Sequence, residues 1–247
     1  GTRTKAEERG RRVRSMTDDG AHTIAIGAYS SRPGAAEVSE AEEIDRLSEG
    51  MAALREAAPD VVVSVDTFRA SVAKAAIEQM GADIVNDISG GDLDGRMFET
   101  VASLRVPYIL MHMRGTPADM QTLTEYPDGV TAEVLRDLSV KLRTLRLAGV
   151  NDVIVDPGFG FAKTLEQNYR LMADLPMFAE MLDAPVLVGV SRKSMVTRAL
   201  GITAKDALNG TTVLNTIALL GGAQILRVHD VKACAEAVRI VSMLPQP

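Results

Sequence analysis

Short apolar runs alternating with charged, amphipathic stretches restrict this chain more than any other feature of its sequence. Seven runs stand out, over residues 22–28, 61–67, 83–88, 108–113, 153–156, 185–191 and 224–229. They are rich in Val and Ile and almost continuously hydrophobic, as strands buried on both faces of a parallel sheet must be. Between and around them lie helix-like segments over 4–20, 40–57, 69–80, 131–148, 207–220 and 232–244. Ser39 followed by Glu42 reads as a capping box at the start of one of these. Strands and helices alternating at this spacing predict a parallel sheet with helical crossovers.

A closed barrel of this type needs eight strands. Seven are visible, and the chain opens on a helix while its last strand is followed by a last helix. The expectation is therefore an α/β TIM (β/α)8 barrel, one domain over residues 1–247, with the first strand and its loop missing. An open doubly wound sheet is the alternative. It is disfavoured because no Gly-rich dinucleotide turn follows the opening strand.

Composition narrows the function. With 46% hydrophobic residues, 4% aromatic and no Trp, aliphatic side chains and Met must fill the core. A net charge of -6 without a basic run argues against nucleic acid as a partner. The single cysteine, Cys234, excludes an intrachain disulfide and any multi-cysteine metal site. No apolar run reaches the roughly 18–20 residues needed to span a bilayer. The charged opening residues resemble no targeting signal, so the expected location is cytoplasmic and away from membranes.

In such barrels chemistry belongs to the carboxyl ends of strands and the loops just beyond them. There this sequence places groups that a core would not choose: Asp66-Thr67, Asn86-Asp87, His112, Asp156-Pro157-Gly158, Ser191-Arg192-Lys193-Ser194, Arg227, His229 and Asp230. One Asp at a strand end is usually a cap or turn residue, and one His a satisfied structural group. As a set they offer two kinds of chemistry. A carboxylate beside an amide can grip the edge of a nitrogen heterocycle. Arg32, Arg227, His229 and the Ser30-Ser31 hydroxyls supply donors for a phosphate or pyrophosphate. The composite ligand is a polar heterocycle beside a phosphate leaving group.

The ordered motifs resemble those of the dihydropteroate synthase family. They are Ser30-Ser31-Arg32-Pro33-Gly34-Ala35, Ser64-Val65-Asp66-Thr67, Asn86-Asp87-Ile88, and Met111-His112-Met113 with Gly115-Thr116-Pro117 and Met120-Gln121. Then come Asp156-Pro157-Gly158-Phe159-Gly160-Phe161 with Lys163 and Asn168, Ser191-Arg192-Lys193-Ser194, and Arg227-Val228-His229-Asp230. The resemblance implies a transferase of folate biosynthesis. In its reaction the amine of p-aminobenzoate displaces pyrophosphate from 6-hydroxymethyl-7,8-dihydropterin pyrophosphate, giving 7,8-dihydropteroate. It further implies that Asp66, Asn86, Asp156 and Lys193 hold the pterin, with Asp66 stabilising positive charge that develops on the ring. Arg227 and His229, with Ser31 and Arg32, would bind pyrophosphate. Ser31, Arg32, Pro33, Phe161, Lys193 and Ser194 would form the p-aminobenzoate pocket. Asp66, Lys193, Arg227 and His229 are the residues expected to carry catalysis. Mg2+ and a homodimer are implied by the resemblance alone.

This sequence departs from the family in four places, one of them Tyr29, which stands before the Ser-Ser pair where an acidic residue is usual. The first-strand Asn that ligates Mg2+ in the family is absent, so no protein metal ligand is expected in this chain. Ala25 stands where the family usually has Asp. Ala162 stands where Gly is usual, at a position that suits Gly if the backbone needs a positive φ. Two other readings share the pterin-edge logic: a methyltetrahydrofolate-binding barrel serving a corrinoid methyltransferase, and a truncated, non-catalytic pterin-binding paralogue. The first has no need of Ser31-Arg32-Pro33 or Ser191-Arg192-Lys193-Ser194. A generic sugar-phosphate barrel lacks support, because no Gly-rich phosphate loop lies near the final strands.

Overall fold

The computed structural model describes residues 2–29 and 38–245. The chain divides into two compact units, residues 1–110 with 144–152, and residues 111–143 with 153–247.

In the first unit the order is α1 (Thr2–Asp18), β1 (Thr23–Gly27), α2 (Glu40–Ala57), β2 (Val62–Asp66), α3 (Ala70–Glu78), β3 (Ile84–Asp87), α4 (Met97–Leu104) and β4 (Tyr108–Met111). Residues 23–27 of β1 pair in parallel with residues 62–66 of β2. The ladder continues through Asp66↔Asn86 and Asn86↔Ile109. Val63, Val65, Val85, Tyr108 and Leu110 are fully buried, which is why these runs carry no polar alternation. Ser39 caps α2 by accepting from the Glu42 N–H at 3.2 Å, but the reciprocal half of the expected box is not made. Glu42 turns instead to Arg46, one helical turn on, at 2.5 Å.

The second unit holds a 3₁₀ turn (Met120–Thr122), most of α5 (Val130–Leu147), β5 (Val153–Asp156), α6 (Leu165–Ala173), α7 (Leu175–Leu182), β6 (Leu187–Val188), α8 (Ser194–Leu200), α9 (Leu208–Leu220), β7 (Ile225–Leu226) and α10 (Val231–Val241). A reciprocal capping box does occur here, at Thr164 and Gln167, and starts α6. Val155 bridges to Val186, and β6 pairs in parallel with β7 through Leu187↔Ile225 and Val188↔Leu226.

All seven apolar runs are strands, but the last two are much shorter than their hydrophobicity suggests. The Val186 carbonyl accepts from both Gln224 and Ile225, at 3.0 and 3.2 Å, which bulges the ladder at its start. After Arg227 N–H donates to the Val188 carbonyl at 2.9 Å, both chains leave the ladder for their loops.

Candidate functional site

In the first unit the adjacent carboxyl ends of β2 and β3 place Asp66 and Asn86 opposite one another. The Asn86 side-chain N–H donates to Asp66 Oδ1 at 2.8 Å. Because a carboxylate only accepts, this bond fixes the amide orientation and aims the amide oxygen the other way. That oxygen is buried and has no partner among the described residues. An orphaned buried acceptor costs free energy until a ligand or water satisfies it. Gly27 stands level with Asp66 on β1, where a Cβ would lie 2.9 Å from the Asp66 Cβ. The glycine leaves room for the carboxylate, a need that no motif in the sequence signals.

Asp87, next in the chain, has a different role. It is fully buried, and both its oxygens are occupied: Oδ1 by the Ser89 N–H and hydroxyl, Oδ2 by the Gly91 N–H and the Tyr108 hydroxyl. Burial pushes its carboxyl above the usual range, with those hydrogen bonds pulling back. It organises the turn after β3.

In the second unit the turn after β5 is the most tightly bonded feature. Asp156 Oδ1 accepts from the Gly158 N–H at 2.8 Å. Gly158 has φ +74°, and a Cβ there would sit 1.9 Å from the His112 carbonyl oxygen, so only glycine fits. The Gly160 N–H donates to Asn168 Oδ1 at 2.7 Å. Buried Lys163 reaches the Gly158 and Phe161 carbonyls and His112 Nδ1, each at 3.0 Å. These contacts use all three ammonium donors and hold both ends of the glycine turn. Burial pulls Lys163 down to about 7, opposed by Asp156. Burial also holds His112 well below its usual value, with Lys163 adding to the effect, so His112 is a neutral structural acceptor. Ala162 has φ +51°, the conformation for which Gly is the usual choice. It is held there by full burial and by the Tyr126 hydroxyl, which donates to its carbonyl at 2.9 Å.

Lys193 packs on this turn from the loop after β6. Its ammonium donates to the Phe159 carbonyl at 2.6 Å and lies 4.8 Å from the centre of the Phe161 ring. Burial pulls its pKa down to about 8, with Asp156 opposing and Arg227 adding to the fall. Burial raises the Asp156 carboxyl, and Lys193 is the largest opposing influence. Arg227 packs its Cβ 3.7 Å from where a side chain would begin at Gly189, and Lys193 Nζ lies 3.9 Å from that point. Gly189 thus leaves open backbone between the stem of Arg227 and the Lys193 ammonium. His229 meets Ser191. Ser194 is exposed at the start of α8.

The structure thus brings Asp66 to Asn86 in one unit, and Asp156, Phe161, Lys193 and Arg227 into one neighbourhood in the other. Ser31, Arg32 and Pro33 lie outside the described residues. Sequence reasoning gave no role to Gly27, Gly189, Ser191 or Lys163. The last two stand inside quoted motifs, where a polar residue without an assigned ligand was the available signal. Chemically, the first cluster offers an anion and an unsatisfied acceptor to an N–H-rich edge. The second offers cations and an aromatic face.

The sequence matches the family described as pterin binding enzymes over residues 1–229. It is 43% identical over 235 residues to a dihydropteroate synthase of Synechocystis sp., covering 94% of this chain and 80% of that protein. The crystal structure of Yersinia pestis dihydropteroate synthase in complex with a sulfonamide drug aligns with a TM-score of 0.87 at 40% identity, covering 94% of this chain and 83% of that one. Xanthomonas albilineans dihydropteroate synthase with 4-aminobenzoic acid aligns at 0.88 and 34%, covering 97% and 86%. At these scores the fold is the α/β barrel that the strand–helix alternation predicts.

Proposed function

Because this chain belongs to the dihydropteroate synthase family of pterin-binding enzymes, we propose that Asp66 and Asn86 hold the pterin edge of its substrate and that the cations after β6 and β7 serve the departing pyrophosphate. The enzyme is a transferase that condenses 6-hydroxymethyl-7,8-dihydropterin pyrophosphate with p-aminobenzoate and releases pyrophosphate. The observation that carries the residue assignment is the orphaned Asn86 amide oxygen beside the Asp66 carboxylate. Together they present acceptors that suit the N–H groups of a pterin, which would give the buried amide oxygen its missing partner.

Asp156 and Lys193 are assigned to the pterin as well, Asp156 as acceptor and Lys193 as donor. The negative charge of Asp66 would stabilise a pterin cation as the C–O bond to pyrophosphate breaks. Arg227 and His229, with Ser31 and Arg32, would stabilise the charge gathering on the leaving oxygens. Fixed donors of this kind act without reorganising during the reaction. Phe161, Lys193 and Ser194, with Ser31, Arg32 and Pro33, would line the p-aminobenzoate pocket.

Mg2+ is assigned as an ion that would accompany the pyrophosphate and help neutralise it. Among the described residues no group of three His, Cys, Asp or Glu could hold a metal ion. No step here is routed through the metal. The chain is assigned as one domain acting in the cytoplasm; no described helix is long and apolar enough to cross a membrane. A homodimer is favoured by exposed Val213, Ile217 and Leu220, which recur at i, i+4 and i+7 on α9 as an apolar stripe that a monomer would leave in water. Light scattering of the wild type and of Ile217→Glu tests the dimer.

The deciding experiment is pyrophosphate release from dihydropterin pyrophosphate and p-aminobenzoate in Mg2+, with Lys193→Ala in parallel. Product formation that depends on Lys193 supports the assignment. A folded protein that binds the pterin pyrophosphate without turnover would instead favour a non-catalytic pterin-binding role.

A further inference from the structure

Building on the transferase reading above, we propose that Ser191 is a positioning residue that keeps the proton of neutral His229 on Nε2, so that the ring offers an N–H donor to pyrophosphate. Val188 pairs with Leu226, so Ser191 and His229, each three residues further on, leave neighbouring strands side by side.

Ser191 is buried, and its Oγ lies 3.1 Å from the His229 backbone nitrogen and 3.0 Å from His229 Nδ1. The backbone N–H must donate, so the hydroxyl oxygen accepts from it. The hydroxyl then has one proton to place, and Nδ1 is its one acceptor among the described residues. A buried hydroxyl that leaves its proton unused loses a hydrogen bond it had in water. Ser191 therefore donates to Nδ1, which must be the unprotonated nitrogen of the neutral ring, and the ring proton resides on Nε2.

The next residue on each loop locks this geometry. Arg192 forks onto Asp230, Nε to Oδ2 at 2.9 Å and Nη2 to Oδ1 at 2.5 Å, and the Arg192 N–H donates to Thr211 Oγ1 at 3.1 Å. Arg192 adopts φ +56°, a conformation a non-glycine residue keeps only when its surroundings hold it. Pairs 191:229 and 192:230 thus fasten the two loops together, and His229 is oriented by the strand register as well as by its own rotamer.

The test uses 15N-histidine-labelled protein and two-bond 1H–15N correlation spectra. The chain has three histidines, so a His229→Gln sample assigns the signal. Neutral His229 in the wild type should show Nε2–H with Nδ1 as acceptor. Ser191→Ala should give a mixture of tautomers and weaken binding of inorganic pyrophosphate about five- to tenfold, the worth of one hydrogen bond. It should leave the KM for p-aminobenzoate unchanged. Ser191→Thr, which keeps the hydroxyl, should restore both the tautomer and the affinity. An Nδ1–H tautomer in the wild type overturns the proposal, as does a Ser191→Ala protein whose tautomer and pyrophosphate affinity are unaltered. The tautomer and the pyrophosphate affinity need no turnover, so an inactive wild type would count against the transferase reading alone.

Discussion

The Asp66–Asn86 pair and the turn after β5 are both polar constellations at strand ends, but they are built in opposite ways. The pair has one internal bond of 2.8 Å and a buried amide oxygen left over. The turn leaves almost nothing over: Lys163, Asn168, Tyr126 and the Asp156 carboxylate each answer a backbone group within it. Among the described residues the first arrangement leaves an acceptor open to a ligand or water, whereas the second closes on itself. An unsatisfied acceptor costs stability in the free protein and returns that cost on binding, which suits recognition. A saturated turn gives precise placement of what rests on it, here Lys193 and Phe161.

This contrast predicts that changes at the pair affect ligand binding and spare folding, while changes within the turn do the reverse. The largest effect is expected at Lys193, which rests on the turn and is proposed as a donor to the substrate. Lys193→Ala should lower kcat/KM by about 10²–10³, the usual loss for a preorganised donor, with little change in the urea midpoint. Gly158→Ala should be the most damaging to stability. A methyl group 1.9 Å from a carbonyl oxygen, on a backbone at φ +74°, should cost about 3 kcal/mol or more in urea unfolding. If that variant folds with normal stability, the turn is not a rigid platform.

Asn86→Ala should weaken pterin pyrophosphate binding by about 1.5–3 kcal/mol in calorimetry. It should lower stability by less than that, because the orphaned oxygen is removed along with the bond to Asp66. Equal losses in both would erase the distinction between the two clusters.

A pH series sharpens it further. Lys163 is held at about 7 against an ordinary value of 10.5, so above pH 7 the unfolded chain binds more protons than the folded one. Stability should therefore rise between pH 7 and 10, and the cost of burying the ammonium should be fully present below that window. Lys163→Met should flatten this part of the profile, read from urea midpoints at each pH. The smallest effect concerns Ala162. Ala162→Gly removes the strain at φ +51° and should stabilise by about 0.5 kcal/mol after the greater entropy of an unfolded glycine is subtracted.

Much of this was legible in the sequence. Apolar continuity located all seven strands, because a strand covered on both faces has no polar side to show. Polar residues stood out at the strand ends because a buried run has no other reason to stop on Asp or Asn. The positive φ at residue 162 was visible through the glycine that normally occupies it. Ladder length was not legible at β6 and β7: a bulge at Val186 depends on two donors from residues 224 and 225, nearly forty positions away. Nor, without the family resemblance, was the division among Asp66, Asp87 and Asp156, since three carboxylates at strand ends look alike until their neighbours are known.

The sequence by itself determined the alternation of strand and helix, the residues at each strand end and the family, since these rest on local periodicity and ordered motifs. Only the tertiary structure decided which polar groups were used up by their neighbours and which were left over. It made Asp87, Lys163 and His112 internal supports, and it set Ser191 against His229. The physical reason is that a hydrogen bond's partner is fixed by register and packing between segments distant in sequence, and satisfaction of a buried polar group is a property of that whole neighbourhood.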